Sequence, residues 1–371
     1  MDNGLDIGLR RSVLAFHASV PDSPRKLAIF VRRLASSLAH DATADATDRA
    51  LEATARELAC ELNWAAAERA ITWAEPANHH VLTIFDRDYP QLLTEISHPP
   101  VVLFVVGAPA ALQRTQIAIV GSRKATHYGR EAAFRIARGL AEHGGVVTSG
   151  MATGIDAAAH RGALAADQPT LAVFGCGIDR IYPRRHVTLA ATIAANGALV
   201  SEFPLGTAPL PHHFPRRNRV ISGLSIGTVV VEAALKSGSI TTALHALEQS
   251  RDVFAVPGSV RNPLAAGCHA LIQQGAILIN DHGDILAQYP GRFRQRAAPA
   301  GGEARHSDAA PVVTTNEREV LDACAFDGAS FDEIVRRSGL TAPEVSSILS
   351  ALEVRGAVRS LAGNSYLRIA E

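Results

Sequence analysis

At 371 residues the chain is too long for one ordinary domain, and 47% hydrophobic against 19% charged residues gives apolar material for two or three cores. Lys and Arg total 36, as do Asp and Glu, so no global field draws the chain to a polyanion and any such site must be local. Cys60, Cys176, Cys268 and Cys324 form no CxxC pair and no zinc spacing, which argues against a disulfide framework and fits a reducing compartment. Met1 to Arg11 lacks a basic-then-apolar signal layout and no apolar run reaches spanning length, so a soluble, cytoplasmic protein without membrane contact is expected.

In chain order, residues 1–78 read as a helical module. Leu27, Phe30, Val31 and Leu34 repeat at helical spacing, as do Leu51, Ala55, Leu58 and Leu62. Residues 1–80 hold nine Lys/Arg and eleven Asp/Glu, so this part is no basic clamp. Residues 79–290 then alternate strands with helices. The strands are expected at Val81–Phe85, Val101–Val106, Ile117–Val120, Val146–Ser149, Thr170–Phe174, Ala198–Ser201, Thr228–Val231, Val253–Val256 and Ala276–Ile279. Helical stretches such as Gly129–Glu142, Asp156–Ala165 and Ile240–Glu248 separate many of them, which means βαβ units and an α/β, doubly wound, mostly parallel sheet. Residues 291–312 read as a linker rich in Ala, Gly, Pro and Arg. Within 313–371, three short helices (Thr315–Cys324, Ser330–Ser338, Thr341–Gly356) and a hairpin turning at Gly363-Asn364 describe a winged helix.

Ligands of such sheets bind at the carboxyl ends of the strands. Five of those ends carry glycine-bearing loops: Gly121-Ser122-Arg123, Ser149-Gly150, Gly175-Cys176-Gly177, Lys236-Ser237-Gly238-Ser239 and Pro257-Gly258-Ser259. Glycine lets a ligand approach the backbone, and helix starts beyond the loops add free N–H groups. Arg123 and Lys236 are the cations best placed on this edge. Residues 116–290 hold 15 Lys/Arg against 11 Asp/Glu, a mildly basic core in a neutral chain. A phosphate-rich ligand is expected, although any one glycine can serve a tight turn alone.

Which phosphate ligand is narrowed by what is missing. No GxxxxGK[ST] loop occurs, and Gly175-Cys176-Gly177-Ile178-Asp179-Arg180 has Arg where a dinucleotide fingerprint needs glycine. The cluster Phe214-Pro215-Arg216-Arg217-Asn218-Arg219 suits phosphate oxygens or, equally, pairing with Glu202. Asp156 and His160 lie four apart on one helix without a third ligand, Cys176 has no His to activate it, and His212-His213 carry no specific signal. No catalytic set, cofactor or metal is expected.

These motifs resemble the DNA-processing protein A (DprA/Smf) family of bacterial recombination mediators. The resemblance rests on Ile119–Arg123, Ser149–Asp156 with Ala159-His160, Gly175–Asp179 with Tyr182-Pro183, Ser201–Pro204, Phe214–Ile221, Lys236–Ser239 and Pro257-Gly258. It implies a Rossmann-like core that binds single-stranded DNA without hydrolysing it, homodimers, and loading of RecA recombinase in natural transformation. It also implies a SAM-like N-terminal module and a C-terminal winged helix. Carried over by position, it places DNA contacts on Gly121, Ser122, Arg123, Gly150, Lys236, Ser237, Gly238 and Ser239; Arg217, Asn218 and Arg219 join them on the basic-cluster reading. His269 stands where the family usually has Asn. The competing class is a phosphoribohydrolase-like enzyme acting through Glu202 or Glu232. Its Gly-Gly-x-Gly-Thr-x-x-Glu signature is absent.

Overall fold

A computed structural model describes residues 7–40, 52–57, 60–294, 314–324, 329–361 and 363–369. The chain divides into two compact units, Met1–Gln295 and Arg296–Glu371. In the first, nine strands form one sheet: β1 (His79–Thr83), β2 (Val102–Gly107), β3 (Gln116–Val120), β4 (Val146–Ser149), β5 (Thr170–Phe174), β6 (Ala198–Ser201), β7 (Gly227–Val230), β8 (Asp252–Ala255) and β9 (Ile277–Leu278). Every expected strand is present within two residues. The spatial order is β1-β2-β6-β5-β4-β3-β7-β8-β9. All neighbours from β6 to β9 are parallel, while β1 and β2 pair antiparallel and β2 runs antiparallel to β6.

Strands β3 to β7 are buried throughout and mostly apolar because both faces are covered. Packed in one core with β1 and β2 are α1 (Ile7–Ser19), α2 (Pro24–His40) and α3 (Trp64–Trp73). The sheet helices are α4 (His127–Glu142), α5 (Ile155–Ala165), α6 (Val187–Asn196), α7 (His213–Gly223), α8 (Gly238–Glu248), α9 (Ala266–Gln273) and α10 (His282–Gln288). Ile117 and Ile119 of β3 join the core built with α4, α5 and α10, whereas Ala118 and Val120 join the core built with α7, α8 and α9. That alternation is the pleat of a strand buried on two sides.

From β3 the chain steps through β4, β5 and β6 in one direction, then crosses back to β7, β8 and β9 on the other side of β3. The junction of β3 and β7 is therefore the topological switch point of a Rossmann-like sheet, and the loops leaving these two strands diverge there.

The N-terminal helices are not a separate body. Phe16 and Phe30 stack at 4.0 Å, and they share one core with Val102 and Phe104 of β2 and Phe174 of β5. The boundary anticipated near residue 78 is thus no break in packing, because the apolar stripes of these helices close on the sheet. Leu51 and Leu58 of the second helical pattern, and 295–312 of the expected linker, lie outside the described residues.

The second unit contains α11 (Thr315–Cys324), α12 (Phe331–Ser338) and α13 (Ala342–Val354) with an antiparallel sheet. Its strands β10 (Ala329–Ser330), β11 (Val358–Leu361) and β12 (Ser365–Arg368) lie in the order β10-β12-β11, one short strand more than the expected hairpin. Thr341 and Glu344 form a capping box that starts α13. At the hairpin tip Gly363 and Asn364 both have positive φ (86° and 52°), as a tight turn matching strand twist requires. Val320, Ile334, Val345, Leu349 and Val358 fill the core. Among the described residues no helix is long and apolar enough to cross a membrane.

Candidate nucleic-acid interface

A cavity of about 570 Å³ opens at the switch point. The loop after β3 supplies Gly121, Ser122 and Arg123, the loop after β7 supplies Lys236, Ser237, Gly238 and Ser239, and α7 supplies Phe214, Arg217 and Asn218. Arg123 and Lys236, placed on one edge by sequence alone, thus line the same cavity. Both are exposed, and neither has an ion-pair partner among the described residues. The Arg123 guanidinium lies 5.2 Å from the Phe214 ring centroid, a cation–π contact that aims a flexible side chain without neutralising it.

The N-terminus of α8 lines the same cavity. Ser237 is its N-cap, with its hydroxyl accepting from the Ser239 N–H at 3.2 Å and lying 2.5 Å from the Ser239 hydroxyl. The first turn of any helix carries N–H groups without intrahelical acceptors and the positive end of the dipole. A Cβ built on Gly238 meets nothing within 4 Å, so the backbone here is bare toward the cavity.

The other glycines behave differently. A Cβ on Gly121 would lie 2.6 Å from the Ile155 side chain, one on Gly175 2.9 Å from the Phe214 ring, and one on Gly150 2.6 Å from the Arg217 guanidinium. Of the five glycine-bearing segments expected to form one ligand edge, Gly175–Gly177 and Pro257–Ser259 do not line the cavity, and the β4 loop contributes Ala152 rather than Gly150. Most of these glycines admit a neighbouring element of the protein itself. Gly150, expected to contact DNA, is corrected to a seat for Arg217.

Arg217 is buried, 4% exposed, and donates from Nη1 to the carbonyls of Gly150 (2.6 Å) and Val173. Burial pushes its guanidinium down to about 10, opposed by the nearby Asp156 carboxylate. It lines the cavity, with Nη1 engaged inward. Its Nε donates to Asn218 Oδ1, and Asn218 Nδ2 donates to the Gly238 carbonyl at 3.0 Å, so the pair braces the start of α8. Arg219 is a clear correction: it does not line the cavity and pairs with Glu202, which also takes Arg216 at 3.1 Å. The pairing reading of this cluster holds for Arg216 and Arg219, and for neither Arg217 nor Asn218.

The remaining polar groups are likewise engaged. Glu232 accepts from the Thr126 N–H at 2.8 Å and the Thr126 hydroxyl at 2.6 Å, anchoring the start of α4. Asp156 accepts from the Ala152 N–H at 3.1 Å; burial raises its carboxyl, against the pull of Arg217. His160 bonds the Thr170 hydroxyl at 2.8 Å, and burial lowers its imidazole to about 3. Burial pushes the Cys176 thiol up to about 11, the opposite of an activated nucleophile. His269 keeps a polar role, with Nε2 3.0 Å from the Gly258 carbonyl.

Sequence reasoning missed an aromatic wall. Tyr182 and Phe214 have ring centroids 5.7 Å apart, both line the cavity, and Tyr182 is 44% exposed. The one available signal was an aromatic immediately before proline in both segments, Tyr182-Pro183 in a loop and Phe214-Pro215 in the first turn of α7.

Fold and site together define a class: an open α/β protein with a cationic, aromatic-sided cleft at the switch point of its sheet, followed in sequence by a winged helix. Residues 80–290 match the family described as DNA recombination-mediator protein A, and residues 304–364 match the DprA winged helix domain. The chain belongs to this DprA/Smf family. It is 42% identical over 304 residues to protein Smf of Escherichia coli, covering 81% of this chain and 80% of that protein. The crystal structure of DNA processing protein A from Streptococcus pneumoniae superposes with a TM-score of 0.61 at 31% identity, covering 78% of this chain and 97% of that one. The Helicobacter pylori protein, whose structure concerns its single-stranded DNA binding mode, superposes with a TM-score of 0.52 at 29% identity over 56% of this chain and 95% of that one.

Proposed function

We propose that this protein binds single-stranded DNA at the switch-point cleft, without cleaving it, as a recombination mediator. The observation that carries the reading is the pair of cations without ion-pair partners among the described residues, Arg123 and Lys236, lining one cavity with the capped N-terminus of α8. Backbone phosphates would lie across Gly121, Ser122, Ser237, Gly238 and Ser239, held by charge, hydroxyls and N–H groups without regard to sequence. A base would stack on the wall of Tyr182 and Phe214. The engagement of Glu202 and Glu232 inside the fold supports binding over glycosidic cleavage, for neither carboxylate lines the cleft. Incubation with adenosine monophosphate should release no free base.

Family membership supports the wider role: a cytoplasmic homodimer that delivers bound strands to RecA recombinase in natural transformation. The winged helix fits protein contact better than duplex reading. Arg355, the one basic residue of Thr341–Gly356, pairs with Glu317 at 2.9 Å inside the same unit.

Gel shifts with single- and double-stranded oligonucleotides of equal length test the reading, with preference for the single strand expected. Arg123→Ala and Lys236→Ala should each weaken single-strand binding by about 1–2 kcal/mol, and each should lower the salt slope by about one. Tyr182→Ala should cost about 1 kcal/mol without changing the slope. Unchanged affinity and slope in the Arg123→Ala, Lys236→Ala double variant would mean the strand binds elsewhere.

A further inference from the structure

A second cluster of chemistry-bearing side chains lies at the start of α7, outside the cleft. His212 and His213 meet Asp22, which sits in the turn between α1 and α2, and the ligand atoms of all three lie within 4.8 Å of one another. His213 is 2% exposed, and its Nδ1 is 3.0 Å from the Ala208 carbonyl. A carbonyl only accepts, so Nδ1 carries a proton, and in the neutral ring Nε2 keeps a lone pair open to a metal ion. That Nε2 is buried without a hydrogen-bond partner, 3.5 Å from Asp22 Oδ1. A lone pair held toward a carboxylate is unfavourable unless something cationic stands between them.

We propose that Asp22, His212 and His213 bind one divalent transition-metal ion of the zinc class. Two imidazoles and one carboxylate are the donor set such ions favour. The Ala208 carbonyl supplies the outer hydrogen bond that fixes a ligating imidazole in its metal-binding tautomer. Bonds of about 2.0–2.2 Å need ligand atoms roughly 3–4 Å apart. His213 and Asp22 already meet that spacing, and the exposed side chains of Asp22 and His212 can turn to complete it. Their exposure also lets water fill the remaining coordination position. The opposing feature is Arg216, whose Nη1 is 3.5 Å from Asp22 Oδ1. Its charge is partly offset by Glu202, so the ion binds more weakly than in a closed structural site. Bound metal would tie the α1–α2 turn to α7, the helix that carries Phe214, Arg217 and Asn218 to the cleft. The site stands independently of what the cleft binds.

Calorimetric titration of the chelator-treated full chain with zinc chloride tests it, with cobalt(II) absorption as a second readout. Wild type should bind zinc and give visible cobalt bands. Asp22→Asn and His212→Ala alter exposed residues and leave the core intact; a tenfold or greater loss of zinc affinity in either variant supports the site. The buried His213→Gln should remove it, but the two exposed variants decide the matter whether or not that one folds. Absence of zinc binding by wild type, or affinity unchanged in both exposed variants, overturns the proposal.

Discussion

Helix α7 serves two environments at once. On one side Phe214, Arg217 and Asn218 line the cleft; on the other Arg216 and Arg219 reach Glu202 and the N-terminal helices. The cations of the cleft rim, Arg123 and Lys236, have no carboxylate partner among the described residues, whereas the helix arginines Arg216 and Arg219 are only 12% exposed and paired with Glu202. The difference teaches that local positive charge marks a polyanion site only where no buried carboxylate claims it. One glutamate at the end of β6 turns half of a basic cluster into a structural knot.

The largest effect that can break this division is Glu202→Ala. Removing the carboxylate leaves the Arg219 guanidinium without its ion partner and Arg216 with only the exposed Asp22 and the Pro21 carbonyl, a loss of about 3–5 kcal/mol in unfolding free energy by urea titration. Single-strand affinity of the folded protein should stay within about twofold, because neither arginine lines the cleft. A variant of normal stability, or one that is stable but blind to DNA, would merge the two regions again.

Next in size is acid sensitivity of the inward side. His17 bonds the Glu202 carbonyl at 2.9 Å through Nε2, and burial, helped by the neighbouring Arg216 charge, lowers its imidazole to about 4. The unfolded chain takes up this proton near pH 6.5 and the native state only near pH 4. Its contribution is therefore complete above about pH 6.5 and disappears as pH falls toward 4, by about 3 kcal/mol in all. His17→Gln should flatten that limb of stability against pH. If the variant loses stability in parallel with wild type over this window, the proton goes elsewhere.

The sequence made much of this legible because the relevant signals are local. Strands buried on both faces stand out as short apolar runs, and Arg123 and Lys236 follow them within a few residues, so the topology alone brings the two together. Helical spacing also held an unused clue. Arg216 and Arg219 are three apart and share a face, whereas Arg217 and Arg219 are two apart and point to opposite sides, so treating the cluster as one surface was bound to fail. What no local signal could show is contact between distant segments. Tyr182 finds Phe214 only when the loop after β5 folds beside the start of α7, and Asp22 finds His213 only because the N-terminal helices share the sheet's core. The glycines misled for a related reason: sequence shows that a side chain is missing, not which neighbour fills its place.

That last point can be sharpened by the smallest changes. In Gly150→Ala the new methyl would stand 2.6 Å from the Arg217 guanidinium, which is fixed by two carbonyls and cannot retreat, so a destabilisation of about 1–3 kcal/mol is expected. In Gly238→Ala the methyl enters open space at the first position of α8, and stability should change by no more than about 0.5 kcal/mol. If a phosphate approaches the backbone there, this methyl sits where its oxygens must come, and single-strand affinity should fall while the unfolding curve stays put. Loss of affinity without loss of stability at 238, beside loss of stability at 150, would separate the glycine that meets a ligand from the one that meets its own protein. Equal affinity in wild type and Gly238→Ala would instead move the strand away from the start of α8 and onto the side chains of the rim alone.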